Sequence, residues 1–212
     1  MKRLAVLASG AGSNAQALID AARAGDLAAE IAVIVSDRSD AQVLRRAAQA
    51  GIPAISLPLR DRHNLDVRVT YDRQLADVVA AFRPDLVVLA GWMLVLTPAF
   101  LDRFPRSIIN VHPALLPFEG EATIKTTAGE IPVLRGARTV RDALRLGLPL
   151  TGASVHYVTA IVDDGPVILR EEVPIYPDDD ETCLHVRIKR IEHQVLPRAV
   201  ALALAGERRL EE

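Results

Sequence analysis

The chain has 212 residues, half of them hydrophobic, enough to bury a sizeable core without disulfides or structural metals. Lys and Arg number 25 against 27 Asp and Glu, and the net charge of −2 argues against nucleic acid or a membrane surface as a partner. A single cysteine, Cys183, excludes an internal disulfide and fits a reducing compartment, and no apolar run approaches the roughly 18 residues of a membrane span.

Met1-Lys2-Arg3 leads into an apolar run at residues 4–8 that is too short for a signal peptide, so the expected location is the cytoplasm. That run reads as a first strand, followed by a helix over 14–24 that Gly25 closes. Residues 31–35 and 41–50 repeat the pattern, with Gly51 as the stop, and 55–57 form a brief third strand. Tyr71, Leu75, Val78 and Phe82 follow helical spacing, and Pro84 ends that helix. Residues 85–90 read as the next strand, apolar from Leu86 onward, as in a strand covered on both faces. Thr97-Pro98 opens a short helix to Phe104, and 107–111 is the next strand.

The rhythm breaks between Pro117 and Arg138, where 123–127 and 130–134, joined by Ala128-Gly129, predict an excursion hairpin. A helix over 139–146 stops at Gly147, and strands at 154–158 and 167–173 flank the turn Asp163-Asp164-Gly165-Pro166. The last helix starts near Asp180 with the stripe Leu184, Ile188, Ile191 and Val195, and Pro197 is expected to kink it. Cys183, inside that helix, reads as a small buried apolar residue. Alternating strands and helices predict an α/β fold with a mostly parallel sheet, and without a linker or repeat the economical organisation is one domain over 1–212.

Two places carry chemistry. Ser9-Gly10-Ala11-Gly12-Ser13-Asn14 lies between the first strand and helix, where backbone N–H groups and a helix N-terminus can hold a phosphate. The same loop fits G-x-G-x-x-A with Asp37 ending the second strand, which leaves an NAD(P)-dependent oxidoreductase as an alternative from another class. Further on, Asn110 and His112 stand two residues apart at the carboxyl end of an interior strand, so both side chains share one face where open α/β sheets build their sites. Acyl transfer to an amine passes through an oxyanion and needs a proton shuttle, roles suited to an amide and an imidazole. A carboxylate beside the imidazole would orient it and favour its charged form, and Asp163 and Asp164 are the obvious candidates.

With these residues in view, the whole chain resembles the glycinamide ribonucleotide formyltransferases, folate enzymes of purine biosynthesis. The matching pieces are Ser-Gly-Ala-Gly-Ser-Asn at 9–14, Leu-Ala-Gly-Trp-Met at 89–93 and Asn-Val-His-Pro-Ala-Leu-Leu-Pro at 110–117. They continue with Gly-Ala-Ser-Val-His at 152–156 and Val-Asp-Asp-Gly-Pro-Val-Ile at 162–168. The resemblance implies a single-domain, Rossmann-like formyltransferase fold with helices on both sheet faces, and 10-formyltetrahydrofolate as co-substrate with no metal. It implies Asn110, His112 and Asp163 as the catalytic trio, and Gly12, Ser13, Asn14 and Glu192 as ribonucleotide contacts. Arg68, Met93, Leu94, Leu96 and Asn110 would meet the folate, together with the loop carrying Thr159, Val162 and Asp163. Its partners would be small molecules, neither nucleic acid nor membrane, with the oligomeric state left open.

Methionyl-tRNA formyltransferase and formyltetrahydrofolate deformylase share the Asn-x-His and Asp core and remain alternatives, although 212 residues leave no room for the extra domain each usually carries. A ligand-binding module without catalysis is a third reading, because the chain departs from the family pattern. An excursion of about a dozen residues, within about 118–135, follows Leu-Leu-Pro. Arg138 stands where a His is usual, Asp164 where a Gly is, and Trp92 and Leu94 where Phe and Arg are more frequent. Asp164 is expected to raise the pKa of one carboxylate of the acid pair.

Overall fold

The computed structural model describes residues 1–118 and 120–206. The fold is α/β with a mostly parallel central sheet flanked by helices, in two compact units, Met1–Asn110 and Val111–Glu212.

The first unit contains β1 (Lys2–Leu7), α1 (Ser13–Ala24), β2 (Ala29–Ser36), α2 (Gln42–Ala50), β3 (Ala54–Ser56), α3 (Leu65–Ala80), β4 (Leu86–Leu89) and α4 (Pro98–Leu101). It ends within β5 (Ile108–His112), and its strands run parallel in the order β3-β2-β1-β4-β5. Leu4, Ala5, Val6 and Leu7 are wholly inaccessible, which is why the central strands read as unbroken apolar runs. The order runs outward one way from β1 through β2 and the other way through β4. That reversal puts a switch point at the carboxyl ends of β1 and β4, where such sheets bind ligands. Both chain segments leaving this point are tied together: the Ser9 N–H donates to Gly91 O at 3.0 Å, and the Met93 N–H donates to Ser9 Oγ at 2.9 Å.

Helix ends follow the sequence signals, with Gly25 and Gly51 in the left-handed conformation as stops. The buried face of α3 keeps Tyr71 and Leu75 of the expected stripe and then drifts by one residue. It comprises Tyr71, Asp72, Leu75, Ala76 and Val79, while Val78 and Phe82 are half-buried. The charged member decides this phase, because buried Asp72 accepts the Thr97 N–H at 2.6 Å. Thr97 itself makes no side-chain cap, and α4 is a single turn ending at Leu101 rather than Phe104.

The second unit holds the end of β5, then β6 (Thr123–Thr126), β7 (Gly129–Pro132), α5 (Thr139–Arg145), β8 (Leu150–Tyr157), β9 (Val167–Pro174) and α6 (Glu181–Ala205). β8 and β9 pair antiparallel, and β8 begins four residues before the expected strand. The helix α6 runs through Pro197 without interruption, and Glu192 rather than Ile191 occupies its buried face. Cys183 is exposed, against expectation, because it lies in the first turn beyond Asp180, whose carboxylate accepts the Cys183 N–H.

The excursion is the predicted hairpin, and it is sided. Ile124 and Ile131, opposite one another, are the buried residues of their strands and pack with Leu115 and Leu150. Its turn is fixed by Glu172 of β9, which accepts from the Thr127 N–H at 3.0 Å and from the Thr127 hydroxyl. Leu115 also presses on Gly152 of β8, where an added Cβ would lie 2.3 Å from Leu115 Cδ2 and 2.4 Å from Glu171 O. Gly152→Ala is therefore expected to destabilise the protein by about 1–3 kcal/mol, as overpacking does, measured as a lower urea midpoint with an unchanged slope.

Candidate active site

At the switch point of the first unit, Gly12 precedes α1 with φ 71° and caps it without a side-chain hydrogen bond. The first N–H groups of α1 therefore have no acceptor within the helix, the arrangement that suits an anion. A Cβ on Gly12 would meet Val43 Cγ2 at 2.5 Å, so the loop is packed down on α2 as well as left-handed. The Val43 N–H donates to Gly10 O at 3.1 Å, and Arg46 Nε donates to Ala11 O at 2.8 Å. Arg46 thus brings a positive charge to the glycine loop that the sequence reading missed. Its spacing along α2 carries no mark of the contact.

Residues 93–97 follow β4. Met93 is exposed, while Leu94 and Leu96 are buried, so of the three expected folate contacts only Met93 offers a large free surface in the first unit. Arg68 and Asp72, one turn apart on α3, pin this segment from below. Arg68 Nη2 donates to Val95 O, and Asp72 holds the Thr97 N–H. Arg68 Nε is buried with no hydrogen-bond partner among the described residues, a donor that a ligand carboxylate could satisfy. Burial pushes the Asp72 carboxyl up, against the Thr97 hydrogen bonds that favour its ionised form.

β5 carries Asn110, half-buried, and His112, buried, two residues apart on one strand. The segment after His112 is held by Ser154, whose hydroxyl donates to Ala114 O at 2.8 Å and accepts the Leu116 N–H at 2.9 Å. Arg170 adds a bond from Nη1 to Leu116 O at 2.8 Å.

The carboxylate expected beside His112 is there. Asp163 Oδ2 lies 3.3 Å from His112 Nδ1 and accepts the Gly136 N–H at 2.8 Å. Asp163 Oδ1 lies 3.5 Å from Nε2 of His156, a second buried histidine. Asp163 reaches this position from a left-handed backbone, φ 52°, uncommon for a side chain of its kind. Gly165 makes the turn possible, since a Cβ there would sit 1.8 Å from Tyr157 O. Asp164 points elsewhere, 2.9 Å from Arg135 Nη2. His156 belongs to a quoted motif but had no assigned role. It lies in the buried run of β8, yet only the folded turn brings Asp163 to it.

The outer nitrogens of both rings face carbonyls. His112 Nε2 lies 2.9 Å from Leu134 O, and His156 Nδ1 lies 2.9 Å from Tyr157 O. Since a carbonyl only accepts, each outer nitrogen carries a proton, and any proton between a ring and Asp163 is an additional one. Burial pushes His112 below the ordinary imidazole value, outweighing the opposite pull of Asp163 and Leu134 O. The 3.3 Å separation is longer than the 2.7–2.9 Å of a charge-assisted bond, in keeping with a neutral ring. Asp163 does favour the charged imidazole, as expected, but desolvation outweighs it. For Asp163, burial alone would raise the pKa, but the His156 contact, the His112 charge when present and the Gly136 N–H hold it below the usual value. Asp164 therefore does not raise its neighbour, because its carboxylate turns to Arg135. The cluster rests as an ionised carboxylate between two rings and can take up one proton.

Glu192, expected to meet the ribonucleotide, is buried on α6 with Lys189 Nζ 4.0 Å away. Thr159 and Val162 are on the exposed stretch before Asp163, and Arg138 caps α5 without a side-chain hydrogen bond. Among the described residues no group of His, Cys, Asp or Glu could hold a metal ion, and no helix is long and apolar enough to cross a membrane.

The His112 shift has a direct readout. A ring whose pKa is lowered stays neutral to lower pH, so its NMR titration midpoint is expected below 6.5. In the linkage sense, the unfolded chain binds this proton first, so stability falls as pH drops through and below that value. Asp163, lowered likewise, adds a further loss as pH falls below the ordinary carboxylate range. A His112 midpoint above 6.5 in the unliganded protein would contradict both the neutral ring and the role of burial.

A family model described as formyl transferase matches residues 2–200. Phosphoribosylglycinamide formyltransferase of Haemophilus influenzae is 37% identical over 213 residues, covering 100% of this chain and 92% of that one. The Mycobacterium tuberculosis protein of the same name is 40% identical over 199 residues, 94% of this chain and 83% of its own. Among solved structures, glycinamide ribonucleotide transformylase 1 from Symbiobacterium toebii superposes with a TM-score of 0.85 at 37% identity, covering 97% of this chain and 89% of that one. These matches favour the formyl-transfer reading over the oxidoreductase one that the glycine loop left open. With the model spanning nearly its whole length and relatives at this identity, the chain belongs to the formyl transferase family.

Proposed function

We infer that the protein transfers the formyl group of 10-formyltetrahydrofolate to the amine of glycinamide ribonucleotide, giving formylglycinamide ribonucleotide and tetrahydrofolate. The observation that carries the reading is the buried His112–Asp163 pair, 3.3 Å apart, in a chain similar along its length to enzymes named for this transfer. The family model runs across both compact units, which supports reading residues 1–212 as one formyltransferase domain.

The reaction is a direct transfer. The amine nitrogen attacks the formyl carbon, and the carbonyl electron pair moves to oxygen, where Asn110 NH2 serves as donor and the His112 ring joins it once protonated. The attacking nitrogen then carries a surplus proton and the departing folate nitrogen needs one. A neutral His112 beside an ionised Asp163 can receive that proton and return it as the C–N bond to folate breaks. Gly12, Ser13 and Asn14 hold the ribonucleotide phosphate, and Glu192 contacts the same substrate. Arg68, Met93, Leu94, Leu96, Thr159 and Val162 receive the folate. The reaction needs no metal, and the chemistry suits a cytoplasmic enzyme acting on small molecules.

Asp163→Asn removes the charge that stabilises the transient imidazolium, and kcat is expected to fall by about 10²–10⁴, followed by folate absorbance on mixing with both substrates. Near wild-type turnover in that variant would remove Asp163 from the mechanism. Replacing glycinamide ribonucleotide with other amines, or with water alone, in the same assay tests the acceptor. Formyl loss without acceptor would make the protein a deformylase, and inertness with every acceptor would make it a binding module.

A further inference from the structure

The stretch Leu134-Arg135-Gly136, where the excursion rejoins the family pattern, makes polar contacts to His112, Asp163 and Asp164. Leu134 O meets His112 Nε2 at 2.9 Å, and the Gly136 N–H donates to Asp163 Oδ2 at 2.8 Å. Arg135, between them, donates from Nε to the Asp163 carbonyl at 3.1 Å and from Nη2 to Asp164 Oδ1 at 2.9 Å. The same Nη2 reaches Glu121 O at 3.4 Å, at the entry of the hairpin. The guanidinium therefore ties both ends of the excursion to the turn carrying the acid.

We propose that Arg135 is a positioning residue for formyl transfer: with Asp164 it locks the left-handed turn at Asp163 and so aims that carboxylate at His112. The inference rests on the reading of His112 and Asp163 as the reacting pair. Three observations carry it. Asp163 has φ 52°, a conformation that a non-glycine residue holds only where its surroundings fix it. Its carbonyl, the group that φ and ψ orient, is what Arg135 Nε grips. And Asp164 gives the guanidinium its ionic partner, so the end of the excursion and the acid turn are two halves of one clamp. A planar guanidinium can serve a carbonyl and a carboxylate at once, which a lysine ammonium on a single contact cannot reproduce in full. The hairpin supplies the anchorage, through the packing of Ile124 and Ile131 on Leu115 and Leu150.

The test uses the full chain, with 10-formyltetrahydrofolate and glycinamide ribonucleotide. Arg135→Ala is expected to lower kcat about 10- to 100-fold, the range for losing hydrogen bonds to a charged group, with KM for both substrates little changed. With Asp163 no longer aimed at it, His112 loses the carboxylate that pulls its pKa up, so the acidic limb of the kcat profile should move to lower pH. Arg135→Lys should restore the position of that limb and part of kcat. Asp164→Asn should reproduce the kcat loss in milder form, and it carries the test if Arg135→Ala does not fold. Exposed Lys125 on the hairpin provides the control: Lys125→Ala is expected to leave kcat and the pH profile unchanged. Wild-type kcat and pH profile in both Arg135→Ala and Asp164→Asn would overturn the proposal, as would a lowered melting temperature with kcat per folded molecule unchanged. Asp163→Asn run alongside separates the two levels. If it keeps full activity, the reacting pair is wrong; if it is inactive while Arg135→Ala is not, only the clamp is wrong.

Discussion

The carboxylate of Asp163, buried and ionised between the rings of His112 and His156, is the constraint around which the second unit is organised. A charge in that position is held by the Gly136 N–H, which donates to Oδ2, while the inner nitrogens of His112 and His156 face the carboxylate and can take the one additional proton between them. Each partner comes from a different stretch of chain. β5 delivers His112, β8 delivers His156, and the end of the excursion delivers Gly136. The left-handed backbone at Asp163 is the local cost of bringing one short side chain to all three.

Burial and charge act against each other in this cluster, and the balance gives it its chemistry. Desolvation opposes a charged imidazole, so His112 rests neutral, while the donors around Asp163 keep the carboxylate ionised. A base that is neutral at rest and has an anion waiting beside it suits a reaction in which one proton must be lifted from an amine and delivered to a leaving nitrogen.

The excursion shows how an insertion can be absorbed without loosening a site. It folds as its own hairpin, buries one isoleucine per strand against Leu115 and Leu150, and is fastened at its turn by Glu172. Long surface insertions cost little in chain entropy when they close on themselves. This one returns to the main chain at the acid turn. The end of the excursion and Asp164 meet there through Arg135.

The sequence by itself determined the order and nature of the elements, because periodicity, glycine stops and apolar runs are local signals. Also legible were the glycine loop, the Asn110–His112 spacing and the acid turn, since two-residue alternation and turn chemistry act within a few residues. The sequence misplaced the later part of the buried face of α3 and the environment of Cys183, where a buried Asp72 and a helix-capping Asp180 decided what hydrophobicity could not. Turn chemistry left Asp163 and Asp164 open and the family resemblance chose Asp163; tertiary structure alone brought it to His112, closed the cluster with His156 and set Arg135 on its backbone. Those contacts join residues 7 to 51 positions apart, and a left-handed φ that no residue type announces sets their geometry. Desolvation, which outweighs the expected bias of His112, exists only once the chain has closed over the ring.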